Sequence, residues 1–546
     1  MDLIIMNGKI ITMNPKHPKA EAVAIKDGKF EKVGSNEEVL KLKTELTEMV
    51  DIKGKVLVPG FNDSHVHFLD FGYSLSKADL NGSKSIDEMI QRTKAFFQDK
   101  VIRENDWLKG RGWNQDIFRE KRFPNRYDLD KISTERPIYL TRVCGHVAVV
   151  NSKALEIMGV TKDSEQVEGG YFELDENGEP TGIFCENALE LIYDNIPALK
   201  TEDLKKMLIC ATEAYAAEGI TSVQTDDLMT LPGMDYEDII RIYKELASEG
   251  KLKTRVYQQC RFSTIDEYRG FLSKGYRTGV GDDYFKIGPL KIVGDGSLGG
   301  RTAFMTEPYA DDPTTIGIPC LTQEEMDEWV HTAHKENMTI AVHSIGDAAM
   351  YRVLESIEKV QKAMPKEDMR HSIIHCQITD LEIIRKFSRL GVIAHVQPVF
   401  LNYDLHIVED RIGKERAKYT YNFKRMLDEG VHVAGGSDFP YCEFYQGVYN
   451  LYTVINRRDI NGYPEGGWLP DQKLSVDEAL AIFTIGGAYA SYEENIKGTI
   501  EEGRLADCFV MSHNIYDINP LEIKDISIEM TFVGGKLVYK NEKELL

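Results

Sequence analysis

Val58-Pro59-Gly60-Phe61-Asn62-Asp63-Ser64-His65-Val66-His67 decides how this chain is read. A Pro-Gly step leads into a short extended run that ends on two histidines. In an extended chain residues i and i+2 face the same way, so His65 and His67 can both reach one metal ion. The spacing alone is weak, because 13 histidines in 546 residues give roughly 0.3 such pairs by chance. Its weight comes from further along the chain, where His343, His375 and Asp438 each end a short apolar run and Lys291 lies in another.

Those runs define a fold class. Ile220–Gln224, Thr254–Gln258, Phe285–Val293, Thr339–His343, Ser372–His375, Val392–Val396 and Val431–Ala434 follow one another with helix-sized gaps. With the strand carrying His65 they predict an α/β chain folded as a (β/α)8 TIM-type barrel. In such a barrel the C-terminal strand ends converge on one face, where ligands distant in sequence can meet. Between the first strand and Ile220 lie about 150 residues, too many for a normal connection. We read about 80–200 as a large insertion over the barrel mouth. Short strands with tight turns occupy both ends of the chain, in 1–57 and 499–546, and predict a small β-sandwich built from both; the barrel is assigned to 58–498.

The bulk composition narrows the function classes. Hydrophobic residues make up 42% of the chain, ample for a large core, and the net charge is −22. Such a surface argues against nucleic acid and anionic membrane as partners and says nothing positive about substrate; the small-molecule substrate expected here rests on the site residues below, with a homodimer left open. The N-terminus has no basic stretch followed by an apolar one, and no apolar run of about 18 residues occurs, so the expected location is cytoplasmic. Eight cysteines without a C-x-x-C pair read as buried free thiols in a reducing compartment.

Taken in order, several segments resemble the amidohydrolase superfamily, and within it the YtcJ-like branch that contains N-substituted formamide deformylases. They are Pro59 to His67, Lys291-Ile-Val-Gly-Asp-Gly-Ser-Leu-Gly-Gly-Arg-Thr-Ala303, Ala341-Val-His-Ser-Ile-Gly-Asp-Ala348, Ile374-His375-Cys376 and Gly435-Gly-Ser-Asp-Phe-Pro440. The resemblance implies one or two divalent ions, of zinc type, held by His65, His67, His343, His375, Asp438 and a Lys291 carboxylated by CO2. Two such ions bring +4 against −3 from carbamate, aspartate and hydroxide, leaving about +1, whereas a free ammonium at Lys291 would repel them. Lys286 competes for this role, but Lys291 directly precedes the Asp-Gly-Ser-Leu-Gly element.

The implied reaction is hydrolysis of a C–N bond of amide, N-formyl or N-acyl type by a metal-activated water. Asp438 is the expected general base and His375 the second catalytic candidate, an imidazole beside the oxyanion. Ring deaminases of the superfamily carry His-x-x-Glu after the fifth strand. Here the residue three beyond His343 is Gly346, which argues against that chemistry. For substrate contacts we single out His146 in Arg142-Val-Cys-Gly-His-Val147, Trp113 in Gly110-Arg-Gly-Trp113 as a pocket wall, and Arg301 as a carboxylate binder, each weighed against a structural role; Glu186 has no clear one. The Tyr-rich stretch from Phe439 to Tyr452 lines the pocket or packs on helices. Hydrolysis of a cyclic amide or ester by the same water, and a ligand-binding regulatory protein on the same fold, are the alternatives.

Overall fold

The computed structural model describes residues 1–98, 106–197, 199–230 and 234–542. Eight parallel strands form one sheet in chain order: β1 (Phe61–Val66), β2 (Ile220–Thr225), β3 (Arg255–Arg261), β4 (Phe285–Val293), β5 (Ile340–Ser344), β6 (Ser372–His375), β7 (Ile393–Val396) and β8 (Val433–Gly435). The sequence reading placed β4 and β6 at these bounds and the others within three residues of them. The strands are short and nearly wholly buried, with every residue of β1, β2, β6 and β7 out of solvent. This is why they read as apolar runs rather than as alternating patterns.

β1 and β8 are the ends of the ladder, and point contacts join them. Asp438 N–H donates to His65 O at 2.8 Å and His67 N–H to Phe439 O at 2.9 Å, while Ser64 Oγ donates to Ala434 O at 3.1 Å. A Cβ at Gly436 would sit 2.6 Å from His65 N, so only glycine lets the two segments approach this closely.

Helices Tyr236–Ser248, Ile265–Ser273, Gln323–Lys335, Asp347–Ala363 and Leu381–Leu390 follow β2 to β6 in turn. Their starts are encoded locally: Thr264 with Glu267, and Thr322 with Glu325, form reciprocal capping boxes that satisfy the free N–H groups of the first turn. Each presents an apolar stripe inward, such as Ile239, Ile240, Tyr243 and Leu246 on the first.

Strands from both chain ends share one six-stranded sheet, in which Cys508–Met511 lies between Ile528–Val533 and Val56–Pro59. A four-stranded sheet contains Leu3–Met6, Ala22–Lys26, Lys29–Gly34 and Glu48–Asp51. One apolar cluster draws Ile5, Val23 and Phe30 together with Leu57, Val510 and Phe532.

By compactness the chain divides into two units, Met1–Phe71 with Leu208–Leu546, and Gly72–Met207. The second unit has its own six-stranded mixed sheet, ordered Gly170–Leu174, Pro180–Glu186, Val147–Val150, Ile138–Arg142, Leu108–Trp113, Ala78–Asp79. Its core corrects one expectation. Trp113 is not a pocket wall: it ends a strand, is fully buried among Leu140, Ile138 and Phe118, and donates its Nε1–H to Leu140 O at 2.9 Å. No described helix is long and apolar enough to cross a membrane. None of the eight cysteines forms a disulfide, and the expected burial holds for four: Cys185, Cys260, Cys376 and Cys508 are buried, Cys442 is half-buried, and Cys144, Cys210 and Cys320 are exposed.

Candidate active site

The strand order carries the expected groups to the C-terminal end of the barrel. His65 and His67 come from the end of β1, Lys291 from β4, His343 from β5, His375 from β6, and Asp438 lies just past β8. His65 Nε2 and His67 Nε2 stand 3.2 and 3.3 Å from Asp438 Oδ1, and ligand atoms of these three residues all lie within 4.8 Å of one another. Lys291 Nζ is 3.0 Å from His65 Nε2 and 3.9 Å from Asp226 Oδ2. The His343 and His375 rings pack with centroids 4.3 Å apart, and His375 is 5.9 Å from His65.

These separations fit a shared cation. Donor atoms about 2.1 Å from a tetrahedral ion are about 3.4 Å from one another, whereas a charge-assisted hydrogen bond brings N and O to about 2.8 Å. The two imidazole–carboxylate distances, 3.2 and 3.3 Å, fall near the first value.

Which nitrogen His65, His375 and His343 offer is set by the other neighbour of each ring. Gln259 gives its Nε2–H to Ser64 O at 3.3 Å, which turns its Oε1 toward His65 Nδ1 at 2.8 Å. Nδ1 must therefore carry the proton, leaving the lone pair on Nε2. Gln397 repeats the device, with Nε2–H to His395 O at 3.4 Å and Oε1 accepting from His375 Nδ1 at 2.8 Å. His343 donates Nε2–H to Gly296 O at 3.0 Å, which leaves the lone pair on Nδ1. His375 thus offers a lone pair on its free nitrogen, suited to a cation and not to an oxyanion, which revises its expected catalytic role.

Burial keeps His65, His343 and His375 uncharged, whereas at His67 burial is outweighed by the Asp438 carboxylate, which raises that ring above its ordinary value. Burial drives His65 down to about 3, helped by the Lys291 ammonium, and His343 down to about 4 for the same two reasons. His375 is held well below the ordinary range by burial and by His343. Burial opposes the ionised form of Asp438, but the His65 and His67 rings beside it outweigh this and keep the carboxyl well below the usual range; of the two, His67 is the ring able to donate to it. His375 and Asp438 also hold left-handed backbone, at φ 81° and 63°. Such geometry costs about 1–3 kcal/mol per residue and persists where surroundings impose it.

Asp63 is the joint beneath this site. Its carboxylate accepts from Ser437 N at 2.9 Å and Ser437 Oγ at 2.5 Å, and from His65 N at 3.3 Å. Asp63, Gln259 and Gln397 escaped the sequence reading, since an amide or a second carboxylate near a motif carries no spacing signal. Lys286 is removed from contention: its ammonium pairs with Glu493 at 2.6 Å.

Arg301 does not present a free fork to a ligand. Its guanidinium grips Asp311 at 3.1 and 2.9 Å, and Arg411 binds the same carboxylate, so it braces a loop. In the second unit His146 Nδ1 pairs with Glu186 Oε2 at 2.9 Å, and both side chains are exposed. Of the Tyr-rich stretch, Tyr441 packs edge-on to His67 with ring centroids 4.8 Å apart. Phe439 and Tyr445 instead join Phe71 and Tyr215 in an aromatic cluster.

Comparison with known proteins gives this arrangement its class. Residues 48–539 match the model of the amidohydrolase family. The chain belongs to that family and is a metal-dependent hydrolase. It is 32% identical over 544 residues to "Putative amidohydrolase YtcJ" of Bacillus subtilis (strain 168), covering 99% of this chain and 100% of that one. N-substituted formamide deformylase of Arthrobacter pascens is 26% identical, with 99% and 98% covered. Among solved structures, an uncharacterized metal-dependent hydrolase from Pyrococcus horikoshii OT3 superposes with a TM-score of 0.76 at 29% identity, over 95% of this chain and 99% of that one.

Proposed function

We propose that the enzyme hydrolyses a C–N bond of the amide, N-formyl or N-acyl type in a small molecule, with Asp438 as general base. The observation that carries this reading is the convergence of His65, His67 and Asp438 at spacings suited to one cation. These three would hold one divalent ion of zinc type. His343, His375 and a Lys291 carboxylated by CO2 would complete the ligands of that ion or of a second. Such an ion lowers the pKa of a coordinated water to about 7 and polarises a carbonyl oxygen.

The chain's own part is positioning and proton transfer. The Asp438 carboxylate, kept ionised by its two imidazole neighbours, takes a proton from the attacking water and hands it to the leaving nitrogen. Gln259 and Gln397 keep the lone pairs of His65 and His375 turned away from themselves and toward the mouth. The name of the Arthrobacter relative supports the formamide end of this range.

Metal analysis of the purified protein, followed by assay against N-formyl, N-acyl and cyclic amides, tests the reading. One or two bound ions per chain and turnover of the open-chain amides are expected. Metal-loaded protein that cleaves none of them would sink it.

A further inference from the structure

Beside Lys291 the barrel rim holds a cavity of about 300 Å3, lined by Arg261 and Lys291 and walled by Met229, Phe262, Leu321 and Trp329. Arg261 is the last residue of β3 and lies in register with Lys291 on β4. Partners in parallel register direct their side chains to the same side, and neighbouring strands are about 4.8 Å apart. Arg261 therefore extends over the same mouth as Lys291.

What distinguishes Arg261 is the lack of a partner. Among the described residues no side chain or carbonyl receives a hydrogen bond or ion pair from its guanidinium, and it is exposed. At the other end of the same strand Arg255 grips Asp507 with two nitrogens, at 2.6 and 2.9 Å, and Arg301 grips Asp311. Carboxylates are not scarce in a chain with 88 acidic and 66 basic residues. A planar five-donor fork left open beside an apolar cavity is suited to bidentate capture of a carboxylate. A cavity of this size takes a side chain such as a phenyl or isobutyl group.

Resting on the hydrolase reading above, we propose that Arg261 binds a carboxylate of the substrate, which is then an N-formyl or N-acyl derivative of an apolar amino acid. The acid sits in the Arg261 fork, the apolar side chain lies against Phe262 and Trp329, and the acyl carbon is presented to the His65, His67 and Asp438 cluster. In an N-acyl amino acid the carboxylate carbon is only two bonds from the amide nitrogen, matching the adjacency of Arg261 and Lys291. The reaction balances as hydrolysis: the C–N bond breaks, water's oxygen joins the acyl carbon, and its protons pass to the released amine and the bulk.

The test compares 3-phenylpropionate with 3-phenylpropionamide as ligands of the metal-loaded protein, by calorimetry or ligand-observed NMR. The acid is expected to bind at least about tenfold more tightly, the difference to vanish in Arg261→Met, and Arg261→Lys to restore part of it. Equal binding of acid and amide overturns the proposal. So does a preference that survives in Arg261→Met, since the acid would then be held by the metal centre. Because binding needs no turnover, the comparison decides the role of Arg261 even where every N-acyl compound resists hydrolysis, a result that would overturn the hydrolase reading instead. N-acetylphenylalanine and its amide, assayed as substrates, should show the same collapse in the ratio of their kcat/KM values.

Discussion

Lys286 and Lys291 stand five residues apart on one strand and live in opposite worlds. At the lower end of the barrel Lys286 meets Glu493 at 2.6 Å, Lys497 meets the same carboxylate at 2.5 Å, and Arg255 closes on Asp507. Each of these charges has its opposite. At the upper end Lys291 faces the His65 imidazole at 3.0 Å and, among the described residues, no carboxylate nearer than 3.9 Å. Donor atoms gather there around a point instead of pairing off. The lower end is built to hold the barrel together, the upper end to hold something else.

The sharpest way to break this contrast is at Asp438. Asp438→Asn should lower kcat by about a thousandfold or more while melting at nearly the wild-type temperature, because it removes the proton acceptor and keeps the shape. Residual activity within tenfold of wild type would dismiss Asp438 as the base.

The two lysines give the next test. Lys291→Met should remove bound metal and activity together, with about a hundredfold loss in kcat/KM, and leave thermal stability nearly intact. Lys286→Met should do the reverse. It removes one of the two ammonium partners of the buried Glu493 carboxylate and leaves Lys497, a loss of about 1.5–3 kcal/mol in denaturant unfolding, with metal content unchanged. Swapped phenotypes would mean that the wrong lysine has been placed at the centre.

A smaller effect is expected at Gln259→Leu. Without its carbonyl oxygen the His65 proton is no longer confined to Nδ1, and metal affinity should fall about 10–100-fold by competition against a chelating dye. An unchanged affinity would show that the ring is held by packing alone.

The last is a pH effect at the lower end, confined to acid solution. Burial pushes the Glu493 carboxyl up, but Lys497 and Lys286 overcome it and hold it at about 2, against an ordinary 4.5. A folded-state pKa below the unfolded one stabilises above the higher value. The contribution, about 3 kcal/mol, is thus full above pH 4.5 and is lost as pH falls toward 2. Unfolding of Glu493→Gln should lack that acid-side slope, which urea titrations between pH 3 and 6 would reveal.

The barrel was legible because its strands are buried on both faces and so read as unbroken apolar runs, and because His65, His343 and His375 interrupt three of them at or near the same end. The supporting layer was not. Gln259 and Gln397 act through single amide oxygens, and the contacts they make span 194 and 22 residues. Trp113 misled for a related reason: Gly-Arg-Gly-Trp has the composition of a loop, yet in the second unit it ends a strand whose tryptophan fills the core. Arg261 left no trace because a solitary arginine at a strand end looks like any solvated one.

The seam between the first and last barrel strands carries a temporal consequence. His65 and His67 are made early and Asp438 nearly four hundred residues later, and bonds such as those from Asp438 N to His65 O, from His67 N to Phe439 O and from Ser437 to Asp63 bring them together. During synthesis the early histidines emerge as half of a chelate. The growing polypeptide therefore stays inert until its eighth strand folds back on its first, and catalytic competence becomes a report that the whole ring has closed.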